Sequence, residues 1–181
     1  MNLEIETKIL DVNIPLIAEK LSSLGAEKIQ ETRLIVDWYG PTGLTHKGDD
    51  PWYLRVRTTS DGKVELSWKS LAEHVGNTRQ SKEINFNVDD SEKMGEFLQK
   101  LGLENYAHQE KDRISFTLQD WNFDLDKYPG MPAYLEVEGT SENHVAEAIS
   151  LLGLESHTAL SEGERKLISE QYGLDWNNMR F

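Results

Sequence analysis

The chain has 181 residues, of which 38% are hydrophobic and 28% charged; it carries a formal net charge of −13 and has no cysteine. Those totals fit one globular domain, expected over residues 1–175 with a short tail at 176–181, and large enough to bury a core. They exclude a broad basic surface for nucleic acid or anionic membrane, and they exclude disulfides and thiolate metal sites, so a bound metal must use oxygen or imidazole donors. No apolar run is long enough to cross a bilayer, and acidic residues at positions 4 and 6 are at odds with a secretory leader, so a cytoplasmic protein is expected. A small anionic substrate remains compatible with the charge if some of the 19 basic residues cluster. A homodimer is compatible with the sequence, which carries no signal for it.

The first strand is expected at residues 2–9, where Glu4, Glu6 and Lys8 alternate with Leu3, Ile5, Thr7 and Ile9. Side chains two apart on a strand point the same way, so the three charges share one face. A helix follows, capped by Asn13, with Pro15 in its first turn, an apolar stripe of Ile14, Ile17, Leu21 and Leu24, and a stop at Gly25. A second strand covers residues 33–39, and residues 40–51 read as an exposed, mobile loop. Strands at 53–58 and 64–69 flank Asp61-Gly62, a hairpin signal. After an irregular stretch at 71–78, a fifth strand covers 82–88. A helix capped by Asp90 or Ser91 carries Met94, Phe97, Leu98 and Leu101. Strands at 111–118, 121–126 and 134–138 complete the set, the first two joined by a tight turn at Gln119-Asp120. A helix opened by Ser141 ends at Gly153, and a last helix covers 161–172.

The strands share a charge pattern. Arg55 and Arg57 lie on one strand, Glu65, Ser67 and Lys69 on the next, Lys111 and Arg113, Asp124 and Asp126, and Glu136 and Glu138 on the later ones. Each faces an apolar set on the opposite side of its strand. Most of these pairs are of a single sign, and like charges two apart repel, a cost tolerated when opposite charge lies close by. Antiparallel strands with every charged face turned the same way build either a closed barrel with a polar interior or a curved sheet with an open charged groove. In both, the apolar faces, with Trp38 and Trp68 among them, pack under the amphipathic helices.

Several carboxylates gathered together need positive charge among them. With no thiol in the chain, Mg²⁺ or Mn²⁺ with oxygen ligands supplies it, and the Arg and Lys rows suit phosphate oxygens. The competing reading is a purely structural network of ion pairs. The histidines, His46, His74, His108, His144 and His157, lack ligand spacing and read as solvated. No phosphate-binding Gly-x-x-x-x-Gly-Lys loop and no Gly-x-Ser-x-Gly elbow is present.

Taken in order, Glu4-Ile5-Glu6-Thr7-Lys8, Leu54-Arg55-Val56-Arg57, Lys69, Lys82-Glu83, Lys111-x-Arg113, Leu125-Asp126 and Glu136-Val137-Glu138 resemble the CYTH domain, or triphosphate tunnel metalloenzymes. That family includes class IV adenylate cyclases, thiamine triphosphatases and inorganic triphosphatases. The resemblance implies an α+β fold, a closed eight-stranded antiparallel β-barrel forming a tunnel, with helices packed outside. It implies a metal-dependent enzyme acting on a small triphosphate, by hydrolysis or, alternatively, by cyclising ATP, with a non-catalytic polyphosphate-binding module as a third reading. Glu4, Glu6, Glu136 and Glu138, with Asp126, would stand near Mg²⁺ or Mn²⁺. Lys8, Arg55, Arg57, Lys69, Lys111 and Arg113 would hold phosphates, Lys8, Glu4 and Glu6 would be catalytic, and Glu83 and Asp124 would belong to the same site. Lys166 resembles a basic residue that the family carries on a late helix. Where the family often has Arg before the fifth-strand acid, this chain has Lys82, so Arg79 or Lys82 would fill that role.

Overall fold

The computed structural model describes residues 2–43 and 50–181. In chain order the elements are β1 (Asn2–Ile9), α1 (Ile14–Ser23), β2 (Glu27–Pro41), β3 (Trp52–Thr59), β4 (Val64–Ser70), β5 (Glu73–Val75), β6 (Thr78–Val88), α2 (Ser91–Lys100), β7 (Leu103–Leu118), β8 (Trp121–Lys127), β9 (Tyr134–Gly139), α3 (Glu142–Leu152), β10 (Ala159–Leu160), α4 (Glu164–Lys166) and β11 (Asn178–Met179). Helix α4 continues as a π-helical turn over Leu167–Gln171. The middle of the expected loop, residues 44–49, lies outside the described residues, as does His46.

Eight strands hydrogen-bond in the order β1-β9-β8-β7-β2-β3-β4-β6, and β6 pairs back with β1, which closes an antiparallel barrel. Closure follows from β1 having two neighbours: Leu3 to Glu6 pair with Arg79 to Lys82 on one side, and Ile5 to Ile9 with Leu135 to Gly139 on the other. The period-two alternation then fixes the rest. Ile5 and Ile9 face out, joining Phe123, Leu125, Leu135 and Val137 in a core beneath Ile17 and Leu21 of α1 and Val145, Ala148 and Leu152 of α3. A second outer cluster, Tyr39, Val56 and Val64, lies under Leu98 of α2. Of the two caps the sequence offers for α2, Asp90 and Ser91, the structure uses Asp90: the side chains of Asn13, Asp90 and Ser141 accept hydrogen bonds from Leu16, Lys93 and His144 N–H, and Gly153 ends α3 in the left-handed region at φ 71°. The β3–β4 hairpin turns at Gly62, φ 86°, whose N–H donates to Thr59 O at 2.9 Å.

Six expectations change. Strands β2 and β7 are longer than periodicity showed, with 15 and 16 residues, because the added half of each pairs along the other strand, Glu27 to Thr32 with Arg113 to Thr117 and Leu103 to Glu110 with Ile35 to Pro41. The stretch 71–78 contains β5, a hairpin partner for β6, which itself begins at Thr78. The expected helix at 161–172 is confined to residues 164–171. Trp38 faces inward, not outward: with Leu34, Val36, Tyr128, Tyr134, Leu167, Ile168, Trp176 and Met179 it fills one end of the barrel with a third apolar cluster. Trp176 and Met179 come from the expected tail, which is packed on the barrel, Met179 pairing in parallel with Gln109. The histidines differ as well: His108 Nδ1 lies at hydrogen-bond distance, 2.8 Å, from Asp37 Oδ1, and His144 stacks on Trp121.

Candidate functional site

The interior beside that apolar end is a cavity of about 460 Å³, lined by charged side chains from seven of the eight barrel strands and by residues of the closing segment, Gly163 to Arg165 and Trp176. Glu4, Glu6, Lys8, Arg55, Arg57, Lys69, Glu83, Lys111, Arg113, Asp124, Glu136 and Glu138 all line it, so alternation on separate strands does converge on one space.

Ladder register decides the pairing. Lys8 stands opposite Glu136, Arg57 opposite Glu65, Lys69 opposite Glu83 and Arg113 opposite Asp126. The same register also sets Glu6 opposite Glu138 and Asp124 opposite Glu136, carboxylate against carboxylate. Lys8 Nζ, buried to 1% exposure, lies 3.0 Å from Glu6 and 2.9 Å from Glu136. Lys69 Nζ reaches Glu4 at 2.5 Å and Glu83 at 3.2 Å, while Arg55 donates to Glu83 at 3.1 Å and Arg57 to Glu65 at 2.7 Å. Arg113 grips Asp126 through two bonds of 2.6 Å and also pairs with Asp124. Burial opposes the charge of Lys8, but Glu136 and Glu6 outweigh it and raise the ammonium pKa; burial likewise opposes ionisation of Glu136, but Lys8, Arg113 and Lys111 hold its carboxyl well below the usual range.

Two of the expected residues stand elsewhere. Lys82 is exposed on the outer face of β6, since Glu83 and Ser81 on either side are buried. Arg79, four residues before Glu83 and on the same face, lines the cavity, with Nε 3.5 Å from Glu6. Lys166 is exposed and paired with Glu162 at 2.9 Å; its neighbours Glu164 and Arg165 line the cavity instead. Asp126 is fully buried and its oxygens are taken by Arg113, Lys111 and the Tyr134 hydroxyl, so it orients cations from behind the wall. Sequence reading missed Glu164, whose carboxylate bonds Lys111 and accepts from Tyr128 at 3.0 Å and Tyr134 at 2.8 Å. It sits on a three-residue helix with no strand periodicity to flag it.

The oxygen donors of Asp126, Glu136 and Glu164 lie within 4.8 Å of one another, which is close enough to share an ion. Their charge is already met by Lys8, Lys111 and Arg113. The unmet negative charge is at Glu138: among the described residues its carboxylate has no cationic partner, only Asn122 Nδ2 at 3.3 Å. Burial first, then Glu4, Glu136 and Glu6, push its pKa up to about 7. The donor chemistry of the cavity, carboxylate oxygens with no thiolate, fits a hard divalent cation such as Mg²⁺ or Mn²⁺, and among the described residues the oxygens close enough to share one are those of Asp126, Glu136 and Glu164. On the cationic side, Arg55 Nε is buried without a partner. An anion would complete it.

A closed antiparallel barrel with a charge-lined interior defines a class, the tunnel-type barrels. The CYTH domain model matches residues 2–167, and the chain belongs to that family. Members of the family are metal-dependent triphosphatases or adenylate cyclases. Among solved structures, a protein from Pyrococcus horikoshii OT3 superposes with a TM-score of 0.75 at 23% identity, covering 91% of this chain and 98% of that one. An adenylyl cyclase homologue from Hippeastrum with a dominant triphosphatase activity gives 0.65 at 16% identity, covering 95% and 97%. A Vibrio parahaemolyticus protein assigned as an adenylate cyclase gives 0.63 at 17% identity, covering 99% and 94%. At these identities the likeness is one of fold. No curated protein is significantly similar to the chain. Among the described residues no helix is long and apolar enough to cross a membrane.

Proposed function

We propose that the protein is a divalent-metal-dependent hydrolase of triphosphates. The observation that carries this reading is the uneven balance of the cavity: Glu138 lacks a cation where a metal would sit, and Arg55 Nε lacks an acceptor where a phosphate would lie. Glu4, Glu6 and Glu138, with Glu136 beside them, would hold Mg²⁺ or Mn²⁺, which when bound supplies neutralisation of the phosphate oxygens. Arg55, Arg57, Lys69, Arg79 and Arg113 are spread around the wall, so they can hold successive phosphates in an extended chain. Lys8 and Lys111 are more deeply buried and tied to carboxylates, and they set the potential at the closed end. With the terminal phosphorus fixed, a water attacks it, a new P–O bond forms, and the bridging P–O bond breaks toward the remaining phosphates. Fixed guanidinium groups stabilise the charge that develops on the leaving oxygens.

The test is incubation of purified protein with Mg²⁺ or Mn²⁺ and tripolyphosphate or ATP, resolving phosphate, pyrophosphate and cyclic AMP. Metal-dependent release of phosphate, lost in Glu138→Gln and Arg55→Ala, is the expected result. Cyclic AMP with pyrophosphate from ATP would replace hydrolase by cyclase. No product under any condition would overturn the reading.

A further inference from the structure

Arg79 is loosely held for an arginine inside the barrel. Its backbone is fixed: Arg79 stands opposite Glu6 in the β1–β6 ladder and opposite His74 in the β5–β6 hairpin. The turn of that hairpin is tied down at Asn77, whose N–H donates to Glu142 Oε1 at 3.0 Å and whose carbonyl accepts from Thr7 Oγ1 at 2.8 Å. The head group has no such anchors. Among the described residues the Arg79 guanidinium makes one ion pair, Nε to Glu6 Oε1 at 3.5 Å, whereas Arg55, Arg57 and Arg113 reach carboxylates at 3.1, 2.7 and 2.6 Å.

What shapes its position is a gap over Gly163, in the closing segment. A Cβ at Gly163 would lie 2.8 Å from Arg79 Nη1 and 3.7 Å from Cζ, the first nearer than such atoms pack. The Gly163 backbone gives no reason for glycine, because φ −69° and ψ 158° are open to any residue. Nor does capping. Gly163 stands at the N-cap of α4, where Ser, Asn or Asp would accept from a helix N–H, and it makes no side-chain cap. Gly163 is also held in place: its carbonyl accepts from Leu167 N–H at 3.1 Å, and the next residue, Glu164, is bonded by Lys111, Tyr128 and Tyr134.

Resting on the triphosphatase reading, we propose that Gly163 is a positioning residue for Arg79: by carrying no side chain it leaves the space that the guanidinium occupies beside Glu6, where it meets a phosphate oxygen of the substrate. The obstacle to a Cβ is the tip of a flexible side chain, not backbone, so a substitution displaces the guanidinium and spares the fold. The long contact to Glu6 leaves the Nη groups for a ligand, and a guanidinium suits phosphate oxygens by its fork of donors. The closing segment then acts on two cations of the cavity by different means. Glu164 holds Lys111 by contact, and Gly163 sets Arg79 by leaving room.

The experiment measures Kd for tripolyphosphate by calorimetry, metal-free and with Mg²⁺, together with kcat, KM and melting temperature. It uses wild type, Gly163→Ala, Gly163→Ser, Arg79→Lys and the double variant Arg79→Lys with Gly163→Ala. Gly163→Ser supplies a better cap than glycine yet carries the same Cβ, so it separates capping from clearance. The expected result in both single Gly163 variants is a Kd and KM raised about tenfold, roughly the contribution of one charge-assisted hydrogen bond, with melting temperatures near that of wild type. In the Arg79→Lys background, whose slimmer head group clears the Cβ, adding Gly163→Ala should cost less than about twofold. An equal loss in both backgrounds, an unchanged Kd in Gly163→Ala, or full affinity in Gly163→Ser alone would overturn the proposal. So would a Gly163→Ala protein that fails to fold, because the obstacle would then be more than a side-chain tip. Tripolyphosphate bound with this coupling by a protein that hydrolyses nothing would support the positioning role while sinking the hydrolase reading, and no binding by wild type under either condition would sink both.

Discussion

Lys8 and Glu136 stand directly opposite each other in the β1–β9 ladder, and the Lys8 ammonium, 1% exposed, lies 2.9 Å from the Glu136 carboxylate. Two charges withdrawn from water in this way are tolerated as a pair and costly singly. Lys8→Met leaves Glu136 short of its nearest cation and is expected to cost about 3–5 kcal/mol, read as a lower midpoint in urea with unchanged slope. Replacing both members, Lys8→Met with Glu136→Gln, should recover part of that loss. No recovery in the double variant would show that the two do not act as a pair.

Glu138 gives a pH dependence of definite sign. Its folded pKa, about 7, stands above its ordinary value of 4.5. Below pH 4.5 the carboxyl is protonated in both states; above it the unfolded chain ionises first, so the group's contribution to stability is lost as pH rises through 7. The loss amounts to about 3 kcal/mol at pH 8. Glu138→Gln should therefore gain on wild type in melting temperature between pH 5 and pH 8 in the absence of metal. Added Mg²⁺ or Mn²⁺ should close the gap at pH 8 by stabilising wild type alone. A constant difference between the two proteins across that range would contradict the pKa.

The placement of basic side chains separates three lysine and arginine variants. Arg57 lines the cavity, whereas Lys82 lies on the outside of β6 and Lys166 pairs with Glu162 on the surface. Hydrogen bonds to charged groups contribute about 1.5–3 kcal/mol, so Arg57→Ala should lower kcat/KM for a triphosphate by about 10- to 100-fold. Lys82→Ala and Lys166→Ala should stay within about twofold of wild type. A large loss in either would mean that the outward placement does not hold when substrate is bound.

Gln119 turns the β7–β8 hairpin at φ 53°, a conformation that costs an ordinary side chain about 1 kcal/mol. Gln119→Gly should raise stability by about 0.5–1 kcal/mol, measured as a shift of the urea midpoint.

What the sequence by itself determined is local and periodic. Glu4, Glu6 and Lys8 had to share a face because strand side chains repeat every two residues. Asn13 and Ser141, and one of Asp90 and Ser91, start helices because each can accept from an N–H three residues on, and the structure uses Asp90. The single-signed pairs on successive strands made one shared polar interior more economical than separate wet faces, and the ordered motifs pointed to the CYTH family. Only tertiary structure decided the rest. Arg79 is inside and Lys82 outside because β6 begins at Thr78, and its register against β1 sets which residues face in. Trp38 went inward because the closing segment brings Leu167, Ile168 and Trp176 to one end of the barrel, a contact between residues more than a hundred positions apart that no periodicity encodes. Glu164 and Arg165 enter the cavity, and Lys166 leaves it, because a three-residue helix joined to a π-helical turn aims side chains by its docking on the barrel, not by any repeat in its own sequence.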